Sequence, residues 1–217
     1  MNENNPKFKH YEEMLREWNS RMNLVAPSTL GDIQTRHIKD SMQLVPYLPK
    51  DAKIIDLGSG AGFPAVVLAI LGFNVTAIES IAKKCMFLEA VKKELDLPNL
   101  MIINDRVEHI VKNSATLCSL LSTLKTSANA LVFTARAFAP LIKIFDLTGG
   151  AGVVGRDLWA RRYLLLKGES IESEIKTAKE KYNFDYELIP SETGPGFIVK
   201  IDNVKLAKNI PLKNRPF

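Results

Sequence analysis

One short segment constrains the fold of this chain more than any other: Asp56-Leu57-Gly58-Ser59-Gly60-Ala61-Gly62-Phe63-Pro64. It follows an apolar run at residues 53–57 and opens an apolar run at residues 64–71. A glycine-rich turn between a strand and a helix lets the backbone approach a ligand closely, and the first amides of the helix hold polar or anionic groups. The segment therefore predicts a ligand-binding loop at the carboxyl end of a buried strand.

The rest of the chain alternates between short apolar runs and longer amphipathic ones. This alternation predicts a doubly wound α/β fold, a mostly parallel sheet with helices on both faces. The predicted strands cover residues 53–57, 73–78, 100–104, 130–135, 163–166, 184–190 and 196–201. The predicted helices of this core cover residues 64–71, 82–95, 139–147 and 170–182, with another that begins near residue 105. The last two strands form a predicted hairpin with Gly194-Pro195-Gly196 near its turn, which gives seven strands and an antiparallel end.

Residues 1–50 are predicted to form a helical extension ahead of the core. Apolar side chains recur there at spacings of three and four, which places them on one helical face: Phe8, Tyr11, Met14, Leu15 and Trp18. A second helical segment is predicted for residues 29–47. We expect one domain over residues 1–217, with the α/β core at residues 51–205 and a basic tail at residues 206–217.

Composition narrows the class of protein. The chain has 217 residues, a net charge of +5 and two cysteines without Cys-x-x-Cys spacing, Cys85 and Cys118. We expect reduced thiols and no metal site. No apolar run approaches the ~20 residues of a membrane span, and the N-terminus is polar, so we expect a cytoplasmic protein without membrane contact. The mild basic balance is compatible with a polyanionic partner.

The glycine spacing points to one kind of nucleoside cofactor. It is Gly-x-Gly-x-Gly rather than the Gly-x-Gly-x-x-Gly of dinucleotide sites, which hold a pyrophosphate. S-adenosylmethionine has no phosphate, and its methionine portion carries an ammonium and a carboxylate. Asp56 would attract the ammonium or order water near it, while amides of the loop, including Gly58 and Gly60, would face the carboxylate. Glu79, at the end of the second predicted strand, would accept hydrogen bonds from the ribose hydroxyls.

Further motifs carry a resemblance to a known family. They are Trp18-Asn19, Met22-Asn23-Leu24, Arg36-His37-Ile38-Lys39-Asp40-Ser41, the glycine segment, Glu79-Ser80, Lys83-Lys84, Phe87-Leu88, Thr134-Ala135-Arg136-Ala137-Phe138-Ala139-Pro140-Leu141 and Leu165-Leu166-Lys167-Gly168. With them the chain resembles the bacterial glucose-inhibited division protein B family over residues 11–201. Members of that family methylate N7 of a guanosine in 16S ribosomal RNA. The resemblance implies a class I, Rossmann-like methyltransferase dependent on S-adenosylmethionine.

The resemblance also assigns roles to individual residues. It implies cofactor contacts at Gly58, Phe63, Glu79, Ser80, Ile81, Val107, Glu108 and Arg136. It implies an RNA-facing mouth shaped by Arg36, His37, Asp40 and Ser41. We also expect substrate contacts at Asn23 and Phe138. The implied partner is 16S ribosomal RNA, free or within the small subunit, and we expect a monomer. The chain departs from the family at Ala65, where glycine is usual, and in the unusual stretches at residues 114–128 and 151–162.

Methylation at N7 makes modest chemical demands. Guanine N7 carries an in-plane lone pair, so no strong general base is needed, and alignment with exclusion of water supplies the rate. We therefore predict no certain catalytic side chain, and Arg136 is the one candidate. At the end of the fourth strand its guanidinium would bond a phosphate or guanine O6 or pack near the cofactor, unless it forms a structural ion pair. Phe138 would stack on a base or belong to the core.

Other functions remain open from the sequence alone. A methyltransferase for a small molecule or protein would share the cofactor half of the chain. A nucleoside-binding module without catalysis, such as a ribosome-assembly factor, would also keep the glycine loop. A dehydrogenase is disfavoured by the glycine spacing.

Overall fold

A seven-stranded sheet organises the chain, in the order β3-β2-β1-β4-β5-β7-β6. The computed structural model describes residues 5–112, 131–149 and 162–207. The strands are β1 Lys53–Leu57, β2 Asn74–Glu79, β3 Leu100–Asn104, β4 Leu131–Arg136, β5 Arg162–Lys167, β6 Tyr182–Pro190 and β7 Phe197–Leu206. Strands β1 to β5 are parallel, and β7 runs antiparallel to both β5 and β6. This architecture confirms the predicted doubly wound, mostly parallel sheet.

Helices cover both faces of the sheet. They are α1 Pro6–Asn19, the single turn α2 Asp40–Met42, α3 Ala65–Ile70, α4 Ala82–Glu94, α5 Val107–Lys112, α6 Leu141–Gly149 and α7 Ile171–Lys179. One hydrophobic cluster joins α1, α3 and α4 to one face of the sheet, and another joins α5, α6 and α7 to the opposite face. No helix in the described part of the chain is long and apolar enough to cross a membrane.

The predicted second helix at residues 29–47 is not continuous. It consists of a 3₁₀ turn at Pro27–Asp32, a π-helical turn at Gln34–Lys39, α2, and a 3₁₀ turn at Val45–Tyr47. The Asp32 side chain accepts a hydrogen bond from the backbone amide of Thr35 at 3.1 Å, a local bond that competes with regular helical pairing. Short π-helical turns occur often at functional sites, and this one carries His37.

The predicted end of the last core helix is wrong, and some of the other predictions concern residues that the structure does not describe. The last core helix ends at Lys179 rather than at Tyr182, which is instead the first residue of β6. Tyr182 is fully buried, and its hydroxyl donates to Asp146 on α6, so tertiary packing overrides its place in the helical pattern. Cys118, residues 114–128, residues 151–161 and the tail from residue 208 lie outside the described residues.

Candidate functional site

The glycine loop follows β1 at the carboxyl edge of the sheet. The backbone amides of Gly58 and Ser59 both donate to the Ile78 carbonyl oxygen on β2, at 2.9 and 3.0 Å. Gly58 has φ +67° and Gly60 has φ +58°, a backbone conformation that glycine adopts without strain. The loop therefore lies where the sequence predicts it, at the carboxyl edge of the sheet.

Tyr11 supports this loop from the N-terminal extension. Its hydroxyl donates a hydrogen bond of 2.5 Å to the Ala61 carbonyl oxygen, and its ring centroid lies 5.2 Å from that of Phe63. Burial raises the pKa of Tyr11 well above its usual value, so the hydroxyl keeps its proton and stays a donor. Phe63, a predicted cofactor contact, is itself buried beneath the site. The sequence indicated Tyr11 only as part of an apolar helical face.

Glu79 fastens the loop to the end of β2. Its Oε2 accepts a hydrogen bond from the Gly60 amide at 2.8 Å, and its Oε1 accepts one from the Ile81 amide at 2.8 Å. Each carboxylate oxygen has further lone pairs, so these bonds leave acceptor capacity for hydroxyl groups. The predicted ribose acceptor thus also fixes the loop geometry, a role that the sequence did not indicate.

Asp56 lies one residue before the end of β1 and is fully buried. Its Oδ1 accepts a hydrogen bond from the Thr134 hydroxyl on β4 at 2.9 Å. Burial raises the pKa of Asp56 to about 6, while Ser59, Thr134 and Arg136 act in the opposite direction. The side chain stands behind the glycine loop, where it ties β1 to β4 beneath the site.

A cavity of about 240 Å³ adjoins the glycine loop. Four predicted cofactor residues line it: Gly58, Ser80, Val107 and Glu108. Ile81, a fifth predicted contact, follows Ser80 and is 48% exposed, a large fraction for an apolar side chain that could pack against a nucleobase. The Ser80 hydroxyl and the Glu108 carboxylate, beside the backbone of Gly58, fit a nucleoside with a polar arm, so these residues could hold S-adenosylmethionine.

A second cavity of about 590 Å³ lies beside the first. Its walls come from the π-helical turn, the end of β4, the end of β5 and the tip of the β6–β7 hairpin. The predicted substrate residues among them are Arg36, His37, Asp40 and Phe138. Ser41 is fully buried and bonds the His37 carbonyl oxygen, while Asn23 is exposed, and neither lines this cavity.

Arg136, the last residue of β4, joins the core to the N-terminal extension. Its Nη1 donates to the Arg36 carbonyl oxygen at 3.1 Å and lies 3.4 Å from Asp40 Oδ2. Its guanidinium carbon lies 5.0 Å from the centroid of the Phe63 ring, a cation–π arrangement. The structure therefore contains the ion pair that the sequence left open and also places Arg136 in the wall of the larger cavity.

His37 is buried in the same wall. Its ring stacks on Phe63 with centroids 4.9 Å apart, and its Nε2 lies 2.9 Å from Thr29 Oγ1. Burial lowers the pKa of His37 to about 4, and the positive charges of Arg136 and Arg36 act in the same direction. The ring is therefore neutral at physiological pH.

The hairpin tip closes the larger cavity through contacts that the sequence did not indicate. Thr193 donates to Asp40 Oδ1 at 2.8 Å, and Gln43 Nε2 donates to Thr193 Oγ1 at 3.0 Å. Gln43 Oε1 also accepts from the Glu192 amide at 2.7 Å. These residues are about 150 positions apart, so the N-terminal extension meets the last part of the core across the site.

Lys167 and Glu174 support the segment that follows β4. Lys167 Nζ donates to the Ala139 carbonyl oxygen at 2.6 Å and pairs with Glu174 Oε2 at 2.7 Å. Glu174 Oε2 also accepts from the Leu141 amide at 2.8 Å. Both side chains line the larger cavity and are mostly buried. Among the residues described, no cluster of three or more His, Cys, Asp or Glu side chains could hold a metal ion.

The fold and site together define a class of protein, the S-adenosylmethionine-dependent methyltransferases. A TehB-like SAM-dependent methyltransferase from Corynebacterium glutamicum has a TM-score of 0.51 at 14% identity, covering 93% of this chain and all of that one. Fibrillarin from Aeropyrum pernix, solved with natively bound S-adenosylmethionine, has a TM-score of 0.50 at 13% identity, covering 77% and 75%. At these identities the likeness concerns the fold.

Sequence comparison then gives the family. The sequence model described as rRNA small subunit methyltransferase G matches residues 4–191. Ribosomal RNA small subunit methyltransferase G of Dinoroseobacter shibae is 38% identical over 86% of this chain and 88% of its own length. The protein of that name from Rickettsia prowazekii is 37% identical over 91% and 93%. The chain belongs to the rRNA small subunit methyltransferase G family, which confirms the resemblance seen in its motifs.

Proposed function

We propose that this protein transfers a methyl group from S-adenosylmethionine to N7 of a guanosine in 16S ribosomal RNA. One observation carries the proposal: the two cavities share Phe138 and Ala139 as a common wall. Four of the residues expected to contact the cofactor line the smaller cavity, and four of those expected to contact the substrate line the larger one. The two ligands would therefore lie next to each other at this boundary, where guanine N7 can contact the methyl carbon in line with the sulfonium sulfur, so that the N7–methyl bond forms as the sulfur–methyl bond breaks.

Over the part of the chain that the structure describes, the larger cavity is lined by one more cationic side chain than anionic side chains. Arg36, Arg136 and Lys167 line it, against the carboxylates Asp40 and Glu174. Arginine guanidinium groups bond phosphate oxygens and the O6 edge of guanine, which supports an RNA acceptor. The net charge of +5 supports long-range attraction to a polyanion.

The chemistry of N7 agrees with the groups at hand. S-adenosylmethionine supplies the methyl group as an activated sulfonium. His37 is held neutral with a pKa of about 4, which makes it a weak base, and Asp56 is fully buried behind the loop. In the described ranges neither cavity is lined by a cysteine. An acceptor atom that already carries a lone pair requires only that the protein orients it and excludes water.

The setting of the reaction belongs to the same proposal. We infer that the acceptor is 16S ribosomal RNA, free or within the small subunit, and that the protein acts as a cytoplasmic monomer of one domain. Light scattering coupled to size-exclusion chromatography tests the monomer, for which a mass near 24.2 kDa is expected. A mass near twice that value would contradict it.

The decisive experiment is methyl transfer from labelled S-adenosylmethionine. The acceptors are small subunits and naked 16S ribosomal RNA from a strain that lacks this protein, and the modified nucleoside is identified by mass spectrometry. We expect 7-methylguanosine in the small-subunit RNA and none with the Gly58→Asp variant, whose side chain would crowd the loop. Label in another nucleoside, or no label although the cofactor binds, would contradict the proposed reaction.

A further inference from the structure

The ring of Phe138 covers the glycine loop at the position where the cofactor cavity begins. A Cβ placed on Gly58 would lie 3.0 Å from Phe138 Cε2 and 3.2 Å from its Cγ, and a third ring atom would be closer still. The backbone of Gly58 is therefore covered by an aromatic side chain. Phe138 therefore occupies the space next to Gly58 that a ligand of the glycine loop would need.

The same side chain separates the two cavities. Phe138 lines both the 240 Å³ cavity beside Gly58 and the 590 Å³ cavity beside Arg136. The smaller volume is below the ~300–1,000 Å³ typical of pockets for drug-sized ligands. S-adenosylmethionine is a ligand of that size, so the cavity encloses only part of it while Phe138 lies over Gly58.

The walls of the smaller cavity differ in how firmly they are held. The glycine loop is fixed by the Tyr11 bond to Ala61 and the Glu79 bond to Gly60. The backbone after Phe138 is fixed as well, because Lys167 binds the Ala139 carbonyl oxygen and Glu174 binds the Leu141 amide. A turn of the Phe138 side chain is therefore the simplest way to enlarge the cavity, and the 590 Å³ cavity on its other side has room for the ring.

We propose that Phe138 is a gate that S-adenosylmethionine displaces from Gly58, and that the displaced ring enters the substrate cavity. This inference rests on the proposed function for the identity of the two ligands. Cofactor binding then places the Phe138 ring in the wall of the substrate cavity. An aromatic ring in that position stacks on the RNA base that docks there. Binding is consequently ordered, with the cofactor before the RNA.

Calorimetry with S-adenosylhomocysteine tests the gate without RNA. A ligand that must first displace a side chain binds with an affinity reduced by the fraction of open protein. We expect Phe138→Ala to bind this probe about 10-fold more tightly than the parent protein, with Phe138→Leu in between. Tyr186→Ala removes an aromatic ring that is 42% exposed on β6 and should leave the affinity unchanged. Equal or weaker binding by Phe138→Ala would overturn the gate.

A second measurement follows the order of binding. We expect S-adenosylhomocysteine to increase the affinity of the parent protein for 16S ribosomal RNA about 5-fold or more, and this dependence to vanish in Phe138→Ala. Equal dependence in both proteins would refute the gate. The two proposals fail separately: if the parent protein binds the probe but Phe138→Ala binds no tighter, only the gate falls. If the parent protein binds no probe, the proposed function falls together with the gate.

Discussion

The Tyr11 hydroxyl in the first helix donates a hydrogen bond of 2.5 Å to the Ala61 carbonyl oxygen in the glycine loop. Fifty positions separate the two residues, so the N-terminal extension supports the glycine loop of the core. Burial of this bond makes each partner depend on the other, because an unpaired buried carbonyl loses its solvation without compensation.

Replacement of Tyr11 by phenylalanine should weaken both the fold and cofactor binding. We expect a loss of about 1–3 kcal/mol in the free energy of unfolding, the range for a buried group left without its partner. Urea unfolding and calorimetry with S-adenosylhomocysteine measure the two effects. Tyr186→Phe is the matched control, since its ring is 42% exposed. Equal stability of both variants would show that the bond to Ala61 contributes little.

Gly58→Ala tests the loop more sharply than a larger substitution. Its methyl group would enter the Phe138 ring and its backbone would be strained at φ +67°. Gly72→Ala carries similar strain at φ +94° but meets no atom within 4 Å. We therefore expect both variants to lose about 1–2 kcal/mol of stability from the backbone, and only Gly58→Ala to lose cofactor binding as well. Comparable cofactor affinity in the two variants would contradict the placement of the cofactor at Gly58.

Arg136→Ala should reduce methyl transfer more than it reduces stability. The side chain lines the substrate cavity, and we expect kcat to fall about 100-fold against a stability loss of about 1–2 kcal/mol. Arg162→Ala is the matched control, because Arg162 pairs with Asp202 at 3.1 Å and lines neither cavity. Rates and unfolding free energies that fall in proportion would assign Arg136 a structural role.

The raised pKa of Asp56 should make this residue stabilise the folded protein at low pH. Its pKa of about 6 in the folded protein exceeds the ~3.9 of an exposed aspartate, so the folded state binds the proton more readily. The folded protein therefore gains stability from Asp56 as the pH falls from 6 to 4, and lacks this gain above pH 6. Relative to the parent protein, Asp56→Asn should become less stable as the pH is lowered through that window. A stability difference that stays constant with pH would contradict the raised pKa.

The lowered pKa of His37 should have the opposite effect, so that this residue destabilises the folded protein at low pH. Its pKa of about 4 lies below the ~6.5 of an exposed histidine, so the unfolded state takes up a proton that the folded state refuses. Stability from His37 is present above pH 6.5 and is lost as the pH falls towards 4. His37→Gln should therefore gain on the parent protein in denaturant titrations over the same window. Should it instead lose ground, His37 would have to be charged in the folded state.

Local patterns in the sequence were sufficient for the core of the fold. Strands β1 and β3 match their predicted bounds at residues 53–57 and 100–104, because each buried strand is apolar and bounded by turn residues. Strand β7 continues five residues beyond its predicted end at residue 201, and the remaining strands differ by one or two residues at one or both ends. The 29–47 segment was predicted as one helix because its apolar residues recur, yet the Asp32 side chain and Pro46 interrupt regular pairing there.

The site was predictable in position but not in detail. Glu79 follows a strand, so its place at the sheet edge could be inferred, but its bonds to two backbone amides depend on how the loop folds back. The Gln43 contact with Thr193 joins polar side chains about 150 positions apart, and no periodicity marks such a pair. Phe138 was identified from its motif, whereas its position over Gly58 is visible only in three dimensions.

Because the β6–β7 hairpin lies near the end of the chain, the residues that line the two cavities are synthesised at different times. Among the described residues, Leu147 is the last in sequence to line the 240 Å³ cavity proposed for the cofactor, whereas the 590 Å³ cavity proposed for the substrate also includes residues up to Phe197. About 50 residues separate the two, which a ribosome adds in roughly 3–10 seconds at about 5–20 residues per second. A growing chain therefore contains the described wall residues of the proposed cofactor cavity before it contains those of the proposed substrate cavity. Premature termination between residues 147 and 197 would leave a protein without the hairpin wall of the substrate cavity.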